Sequence, residues 1–404
     1  SPVYGRDLQG PTAVLKSVSK LNNSCTTNGG LLNMKFLPEF FKTETGCLKF
    51  ENFLRAFVDL KVPHIQFNVV RKEDLLDAKI HPENHHTLLN LLASYKMKLL
   101  KEQLMKISKA LIFDIKRFAI HDGSGLRTTV FFKGCPLRCL WCQNPEGLNT
   151  QRQIIYFKNK CIHCRCCQQF KEQINYQNDR PYFQNHQEFD QVIKTCPSGA
   201  IQYDSQEYTL DKLMNKIKED EVFFQHGGGV TFSGGEPFMQ GEFLIEILKR
   251  CQKEKIHTAI ETSFYTSLEL IKKALPYLDL VYIDLKIFDE QKHQACTNVS
   301  PQLIKENIRY VLQSEYKDKV IIRTPLIPTM SATDENIHQI VKFLIQINPE
   351  VKYEMLNYNP LASAKYELVN LKYGLESYQM FTKQQMQHFY DVALQAGIKN
   401  LIKE

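Results

Sequence analysis

The sequence lacks the features that mark membrane and secreted proteins. No apolar run reaches the roughly 18 residues that span a bilayer, and the opening residues, SPVYGRDLQGP, lack the charged-then-apolar order of a signal peptide. The formal net charge is only +7 over 404 residues, and Lys and Arg are scattered among Asp and Glu instead of forming a basic stripe. We therefore expect a soluble cytoplasmic protein with no membrane and no nucleic acid among its partners.

Tryptophan is scarce, since Trp141 stands alone, whereas cysteine is abundant. The chain has 12 cysteines, and seven of them form two close-set clusters, CPLRCLWC at 135–142 and CIHCRCC at 161–167. In a secreted protein such cysteines would form disulfides, but short spacings of this kind in a cytosolic chain are typical of metal sites. We therefore interpret both clusters as metal-binding.

Composition divides the chain into three zones. Residues 1–108 mix turns with amphipathic helical runs, residues 153–203 form a small insertion rich in Cys, Gln and Asn, and the rest of 109–404 alternates short β-branched runs with helical patterns. The candidate strands are TTVFFKG, GVTFSGG, TAIETS, LVYIDLK, VIIRTPLI and KYEMLNYN. This alternation predicts an α/β fold with a parallel sheet, a partial (β/α)6 TIM-like barrel whose chemistry gathers at the carboxyl ends of the strands.

The strongest chemical signal is the loop that follows the first of these strands. It holds Cys135, Cys139 and Cys142, and three thiolates in one loop suit an iron–sulfur cluster. With no fourth cysteine nearby, one iron is left open. The chemistry of S-adenosylmethionine (SAM) requires such an iron, which the amino and carboxylate groups of SAM chelate. A structural zinc site is the alternative, but it would need a fourth Cys or His to close the tetrahedron.

This loop resembles the signature of radical SAM enzymes, three cysteines spaced three and two residues apart with an aromatic residue, here Trp141, before the last. The stretches KRFAIHDGSGLRTTVFFKGCPLRCLWCQNPE and VYIDLKIFDEQKH narrow the resemblance to activating enzymes of glycyl-radical enzymes, of the pyruvate formate-lyase activating type, and it extends over 109–404. It implies a 4Fe-4S cluster on the three cysteines, SAM as cofactor, and Trp141 beside the adenine. A plain core role for Trp141 stays open.

The resemblance also assigns residues at other strand ends. Gly234 and Gly235, with Glu236 in FSGGEP, are implied to hold the amino group of SAM, because paired glycines let a backbone approach a ligand closely. Contacts to the ribose and carboxylate of SAM, or to a nearby monovalent cation, are implied for Glu261, Thr262, Asp284, Lys286 and Arg323. Each of these five residues could instead be a surface charge or a cap.

The second cysteine cluster resembles half of a bacterial two-cluster ferredoxin. In those proteins each C-x2-C-x2-C-x3-C-P run gives its fourth cysteine to the other cluster. Here Cys161, Cys164 and Cys167 remain from the first run and Cys196 from the end of the second, whereas positions 171, 186, 189 and 192 hold no cysteine. We therefore expect one auxiliary 4Fe-4S cluster. An empty or zinc-bound site is the alternative, and the spare thiol of Cys166 leaves the register open.

Residues 1–95 resemble a different protein, the C-terminal part of a glycyl-radical enzyme of the pyruvate formate-lyase or glycerol dehydratase type. The resemblance rests on GPTAVLKSVSKL, NGGLLNMKFLPEFF and VPHIQFNVVRKEDLLDAKIHPE. Counting from His81 puts Ser94 at the position of the radical glycine, so we expect no radical in this fragment. The fragment is a remnant of a fused neighbouring gene, a product of sequence assembly, or a docking element.

The resemblance implies an oxidoreductase that activates a partner glycyl-radical enzyme. A flavodoxin or ferredoxin donates one electron to the cluster, and SAM is cleaved to methionine and a 5′-deoxyadenosyl radical. This radical removes a Cα hydrogen from a glycine of the partner. Two alternatives stay open: a radical SAM enzyme that acts on another peptide or a small substrate, and a non-catalytic interaction protein that uses the fused fragment.

Overall fold

The computed structural model describes residues 27–28, 31–32, 109–170, 174–177, 180–183, 189–225, 227–369 and 371–403. The chain divides into two compact units, Ser1–Leu104 and Met105–Glu404. In the first unit the described residues form two antiparallel strands, β1 (Thr27–Asn28) and β2 (Leu31–Leu32). The predictions for Ser94 and for the rest of the N-terminal fragment lie outside the described residues.

The described part of the second unit is built on a nine-stranded sheet. The strands of this unit are β3 (Lys109–Ala119), β4 (Arg127–Phe132), β5 (Ile154–Tyr156), β6 (Ile174–Gln177), β7 (Arg180–Phe183), β8 (Ile201–Tyr203), β9 (Gln206–Thr209), β10 (Gly229–Gly234), β11 (Thr258–Thr262), β12 (Leu280–Asp284), β13 (Val320–Pro325), β14 (Lys352–Leu356) and β15 (Asn400–Ile402). The order across the sheet is β15-β14-β13-β12-β11-β10-β4-β3-β9, and the strands from β15 to β4 run parallel. β3 and β9 add an antiparallel edge.

Helices connect successive parallel strands. They are α1 (Asp190–Thr195), α2 (Leu210–Lys218), α3 (Glu221–Phe224), α4 (Gly241–Lys253), α5 (Leu268–Ala274), α6 (Glu290–Thr297), α7 (Gln302–Gln313), α8 (Asp334–Ile347), α9 (Ser363–Leu368) and α10 (Lys383–Gln395). Five of them begin after a capping side chain that accepts a backbone N–H, namely Thr209, Ser267, Asp289, Thr333 and Thr382. Within the described ranges, no helix combines the length and the apolar character that crossing a bilayer requires.

Side chains alternate between the two faces of the parallel strands. On one face, apolar residues such as Val230, Phe232, Ile260 and Ile322 are fully buried in a core shared with the helices. Their removal from water supplies the main driving force for this layer.

The opposite face, called the polar face below, carries charged and hydroxyl side chains. Glu261 lies beside Tyr282 in the register of β11 and β12, and Arg323 lies beside Asp284 on one side and Glu354 on the other. A closed TIM barrel fills its interior with branched apolar residues. Here the polar face instead carries charged side chains near the carboxyl ends of the strands.

The predicted α/β class and partial parallel barrel are confirmed, and each of the six candidate strands overlaps an observed one. The sequence missed β15, which is only three residues long, and the antiparallel edge of β3 and β9. The predicted insertion contains two small antiparallel pairs, β5 with β8 and β6 with β7. Its base therefore lies at β5 and β8.

Candidate active site

The carboxyl ends of the parallel strands and the three-cysteine loop enclose a cavity of about 290 Å³. All the residues predicted for the cluster and for SAM, except Glu236, line it: Cys135, Cys139, Trp141, Cys142, Gly234, Gly235, Glu261, Thr262, Asp284, Lys286 and Arg323. Folding therefore brings together residues that are widely separated in the sequence. Parallel strands place their carboxyl ends at one edge, which explains the convergence.

The three thiols of the loop are protonated when no cation is present. Burial raises the pKa of Cys135 and of Cys139 to about 12 and that of Cys142 to about 11. Such thiols become thiolates when a metal replaces the proton. Three partly exposed thiols from one loop, beside an open cavity, would hold an iron–sulfur cluster and leave one iron without a protein ligand.

Backbone contacts hold the cysteine loop against its surroundings. The N–H of Gly134 donates to the carbonyl of Gly147 at 2.8 Å, and the N–H of Leu140 donates to the carbonyl of Cys296 at 3.0 Å. The turn Pro145–Gly147 thus closes the loop on one side, and the end of α6 supports it on the other.

The GGE motif meets the cysteine loop backbone to backbone. A Cβ added at Gly235 would lie 2.4 Å from the carbonyl oxygen of Gly134 and 2.5 Å from that of Gly147, and Gly234 has a φ of +122°. Glycine at 235 is therefore required by the contact between two protein loops. This steric requirement for glycine is independent of whether the backbone also approaches a ligand.

Glu236 lies beneath the cavity and is fully buried. Its carboxylate accepts hydrogen bonds from the hydroxyl of Thr262 at 2.7 Å and from the backbone N–H of Ser263 at 2.8 Å. Burial raises the pKa of this carboxyl, and the hydrogen bonds oppose the shift. The side chain thus supports the end of β11. Its contact with the amino group of SAM stays a prediction.

A cation stands beside the cysteine loop. The ammonium of Lys286 contacts the carboxylate of Asp284 at 2.5 Å. Burial opposes the charge, but the carboxylate of Asp284 raises the pKa of Lys286 above its ordinary value. Lys286 is therefore charged at the rim of the cavity, where it could meet an anionic group.

Arg323 links two carboxylates across the polar face. Its guanidinium donates to Glu261 at 2.7 Å and to Glu354 at 2.6 Å, and it lies 3.4 Å from the ring centre of Tyr282. Ser233 also donates to Glu261 at 2.7 Å. The sequence analysis missed Glu354 and Ser233. The sequence feature that could have identified them is a polar residue within a strand that is otherwise mostly apolar.

Trp141 is both a core residue and a residue of the cavity wall. It is 4% exposed and belongs to a cluster with Tyr358 and Tyr366 against which Cys139 and Cys142 pack. The two interpretations that the sequence left open for Trp141 are therefore compatible.

Two other strand-end positions have backbone partners. The side chain of Asn357 exchanges two hydrogen bonds of 2.9 Å with the backbone of Phe381, and the carbonyl of Asn359 accepts from Gln143 at 3.0 Å. Both positions therefore fasten the segment after β14 to its neighbours.

A second cavity gathers the cysteines of the insertion. The four predicted ligands and the spare thiol line it: Cys161, Cys164, Cys166, Cys167 and Cys196. The Sγ of Cys167 also lies 2.5 Å from the hydroxyl of Tyr176. In the described part of the chain no three His, Cys, Asp or Glu side chains are grouped as a metal-ion site. The auxiliary cluster therefore stays a prediction.

We predict that Gly235→Ala destabilises the protein and displaces the cysteine loop, because the new methyl group would meet two backbone carbonyls. The free energy of unfolding should fall by about 1–3 kcal/mol, and the iron bound after anaerobic reconstitution should fall with it. Gly374→Ala is the matched control, since a Cβ there has nothing within 4 Å. Equal stability and iron content in the two variants would contradict this interpretation of the motif.

Comparison with known proteins assigns both parts of the chain. Residues 129–344 match the family model described as the radical SAM superfamily, and residues 1–95 match the one described as glycine radical. The 4-hydroxyphenylacetate decarboxylase activating enzyme of Clostridium scatologenes is 35% identical over 72% of this chain and 96% of its own length. The indoleacetate decarboxylase activating enzyme of Tractidigestivibacter scatoligenes is 34% identical over 73% and 97%, respectively.

A third relative, the choline trimethylamine-lyase activating enzyme of Oleidesulfovibrio alaskensis, is 35% identical over 66% of this chain and 89% of its own length. The predicted 4Fe-4S cluster and SAM are the cofactors of the radical SAM family, and the cysteines that the family requires are present in the loop. The chain belongs to the radical SAM superfamily, among relatives that are activating enzymes, and its residues 1–95 match the glycine-radical model.

Proposed function

We propose that this chain activates a glycyl-radical enzyme by cleaving SAM and removing a Cα hydrogen from a glycine of that partner. One observation carries the proposal: three cysteines of one loop share a cavity with Gly234, Gly235 and Lys286, in a chain related to several activating enzymes. A flavodoxin or ferredoxin is the proposed electron donor.

Cys135, Cys139 and Cys142 are the proposed ligands of the SAM-binding cluster. When bound, the cluster supplies the electron that breaks a carbon–sulfur bond of SAM, giving methionine and a 5′-deoxyadenosyl radical. Gly234 and Gly235 line the cavity and are proposed to contact the amino group of SAM through their backbone.

The charged residues of the cavity orient SAM in this proposal. Lys286, held by Asp284, offers a cation to the carboxylate of SAM, and Trp141 offers a flat apolar surface to the adenine. Glu261 and Thr262 are proposed for the ribose or a monovalent cation. Arg323 keeps Glu261 in place through their 2.7 Å contact.

The polar face is the proposed path for the partner. An extended peptide that carries a glycine needs hydrogen-bonding groups for its own N–H and C=O groups, since unpaired backbone groups are costly to bury. Arg323 and Ser233 line the cavity and carry such groups, which in this structure pair with Glu354 and Glu261, respectively.

The insertion is the proposed site of an auxiliary 4Fe-4S cluster. Cys161, Cys164, Cys167 and Cys196 converge on one cavity, which supports the ligand set expected from half of a two-cluster ferredoxin. The side chains Tyr156, Ile174 and Phe189 around this site are buried, whereas Cys164 is exposed.

We expect the protein to transfer deuterium from a glycine of the partner to the 5′-deoxyadenosyl radical derived from SAM, giving deuterated 5′-deoxyadenosine. The test uses 4-hydroxyphenylacetate decarboxylase and choline trimethylamine-lyase labelled with α-deuterated glycine, a chemical reductant, and mass spectrometry of the 5′-deoxyadenosine released. Deuterium should appear in that product with at least one of the two partners. Deuterium-free 5′-deoxyadenosine with every partner would favour another peptide or a small substrate.

Cys139→Ala should abolish the release of 5′-deoxyadenosine, because the loop then lacks one of its three ligands. Cys251→Ala is the control for this experiment, since Cys251 is fully buried in the apolar core of α4 and lies outside both cysteine cavities. If neither the parent protein nor Cys251→Ala cleaves SAM after reconstitution, a non-catalytic role is favoured.

We expect about eight irons per chain after anaerobic reconstitution, four at each site. The double change of Cys161→Ala and Cys164→Ala should reduce the iron by half, as measured by a colorimetric iron assay, and should leave the first cluster intact. Cys166→Ala should keep the full complement. An unchanged iron content in the double variant would contradict the auxiliary site. A loss of iron in Cys166→Ala would instead indicate that Cys166 is one of the ligands.

We expect that residues 1–95 never carry a stable radical. Ser94 offers one Cα hydrogen and a hydroxymethyl group where a glycine would offer two hydrogens and no side chain. Electron paramagnetic resonance of the isolated protein with SAM and reductant should therefore show no persistent organic radical, whereas a separate partner should show one. A radical located at Ser94 in the unaltered chain would overturn this expectation, and Ser94→Gly tests whether the fragment can accept a radical at all.

A further inference from the structure

A buried ion pair lies between the cysteine loop and the insertion. The ammonium of Lys133 contacts the carboxylate of Asp204 at 2.6 Å, and both side chains are completely shielded from solvent. The same ammonium donates to the backbone carbonyl of Glu146 at 2.6 Å. Buried charges are costly unless they are paired and fully hydrogen-bonded, so a pair of this kind has a narrow geometry.

The lysine end of the pair is fastened to the wall of the active-site cavity. Lys133 lies between the end of β4 and Cys135, and Glu146 belongs to the turn Pro145–Gly147. The carbonyl of Gly147 in that turn accepts from the N–H of Gly134 at 2.8 Å. A shift of the ammonium would therefore move the turn that closes the cysteine loop.

The aspartate end is fastened to the base of the insertion. Asp204 directly follows β8, and its carboxylate accepts from the backbone N–H of Gln153 at 3.0 Å and from the hydroxyl of Ser205 at 2.9 Å. Its own N–H donates to the carbonyl of Gln153 at 2.8 Å. Gln153 precedes β5, which pairs with β8, so Asp204 joins the two chain segments that enter and leave the insertion.

We propose that Lys133 is a positioning residue that transmits the placement of the insertion to the SAM site through Asp204 and the carbonyl of Glu146. The cysteines at 161–167 and 196 lie between the two ends that Asp204 joins, and Cys135 lies two residues after Lys133. One ammonium thus connects the two cysteine sites through directed contacts. The inference rests on the proposed SAM site for its second measurement only.

The contacts of Lys133 with Asp204 and with the carbonyl of Glu146 are called the link below. The first test asks whether the link holds the three-cysteine loop in place. Lys133→Met combined with Asp204→Asn removes both buried charges and keeps an oxygen that can accept from Gln153. Lys109→Met combined with Glu207→Gln is the matched control, because that pair, at 2.9 Å on β3 and β9, is half exposed and such pairs contribute little. Hydrogen–deuterium exchange of the amides at 134–148 should accelerate about tenfold in the first variant, the effect of one lost hydrogen bond to a charged group.

The second measurement is the dissociation constant for SAM of the reconstituted protein. It should rise about tenfold in the Lys133 and Asp204 double variant, with iron content unchanged, because the loop is less well positioned. The double change of Cys161→Ala and Cys164→Ala should alter SAM affinity in the parent protein. The same change should have no further effect in the Lys133 and Asp204 double variant, and such non-additivity indicates coupling between the two sites.

The outcomes separate this inference from the proposed function. Unchanged exchange and unchanged SAM affinity in the folded double variant would overturn the link, as would strictly additive effects of the two double changes. Faster exchange in a protein whose parent form does not bind SAM would keep the link and refute the proposed function. If the double variant does not fold, Asp204→Asn alone, which keeps the contact of Lys133 with Glu146, should show a smaller effect in the same direction, and no effect would overturn the inference.

Discussion

The active site depends on a place where protein backbones meet with no side chain between them. Gly235 stands so close to Gly134 and Gly147 that even a methyl group would come within 2.5 Å of their carbonyl oxygens. This contact joins the end of β10 to the loop that carries the three cysteines. Because a backbone contact tolerates no added atom, the spacing between the GGE motif and the cysteines is determined by sterics.

The polar face gives the site its electrostatic character. Arg323 with Glu261 and Glu354, and Lys286 with Asp284, place paired charges where a closed barrel would have apolar layers. Ion pairs that are partly removed from water are weak evidence for stability. The pairs of Arg323 with Glu261 and of Lys286 with Asp284 line the cavity, where they can bind and orient a polar ligand. The helices on the other face supply the apolar burial that holds the sheet together.

The cysteine-rich insertion is a separate small structure with its own apolar core around Val192 and Ile201, and two antiparallel strand pairs. It adjoins the main sheet at a base where a buried lysine and aspartate meet. A domain that grows from a loop between two strands can be accommodated without changing the barrel, and its orientation then depends on a few contacts at its base. In the proposed role of this pair, the contacts at the base define the position of one cysteine site relative to the other.

Short-range patterns predicted much of this protein. The strand–helix alternation, the three-cysteine loop and the GGE motif are local, because each depends on residues a few positions apart. Pairings between distant segments could not be predicted in this way. Three contacts shorter than 3 Å illustrate this: Glu236 with Thr262, Arg323 with Glu354, and Lys133 with Asp204. The residues of each pair come together only through the register of the sheet or the closed base of the insertion. Such contacts are decided by packing, since no local rule relates one partner to the other.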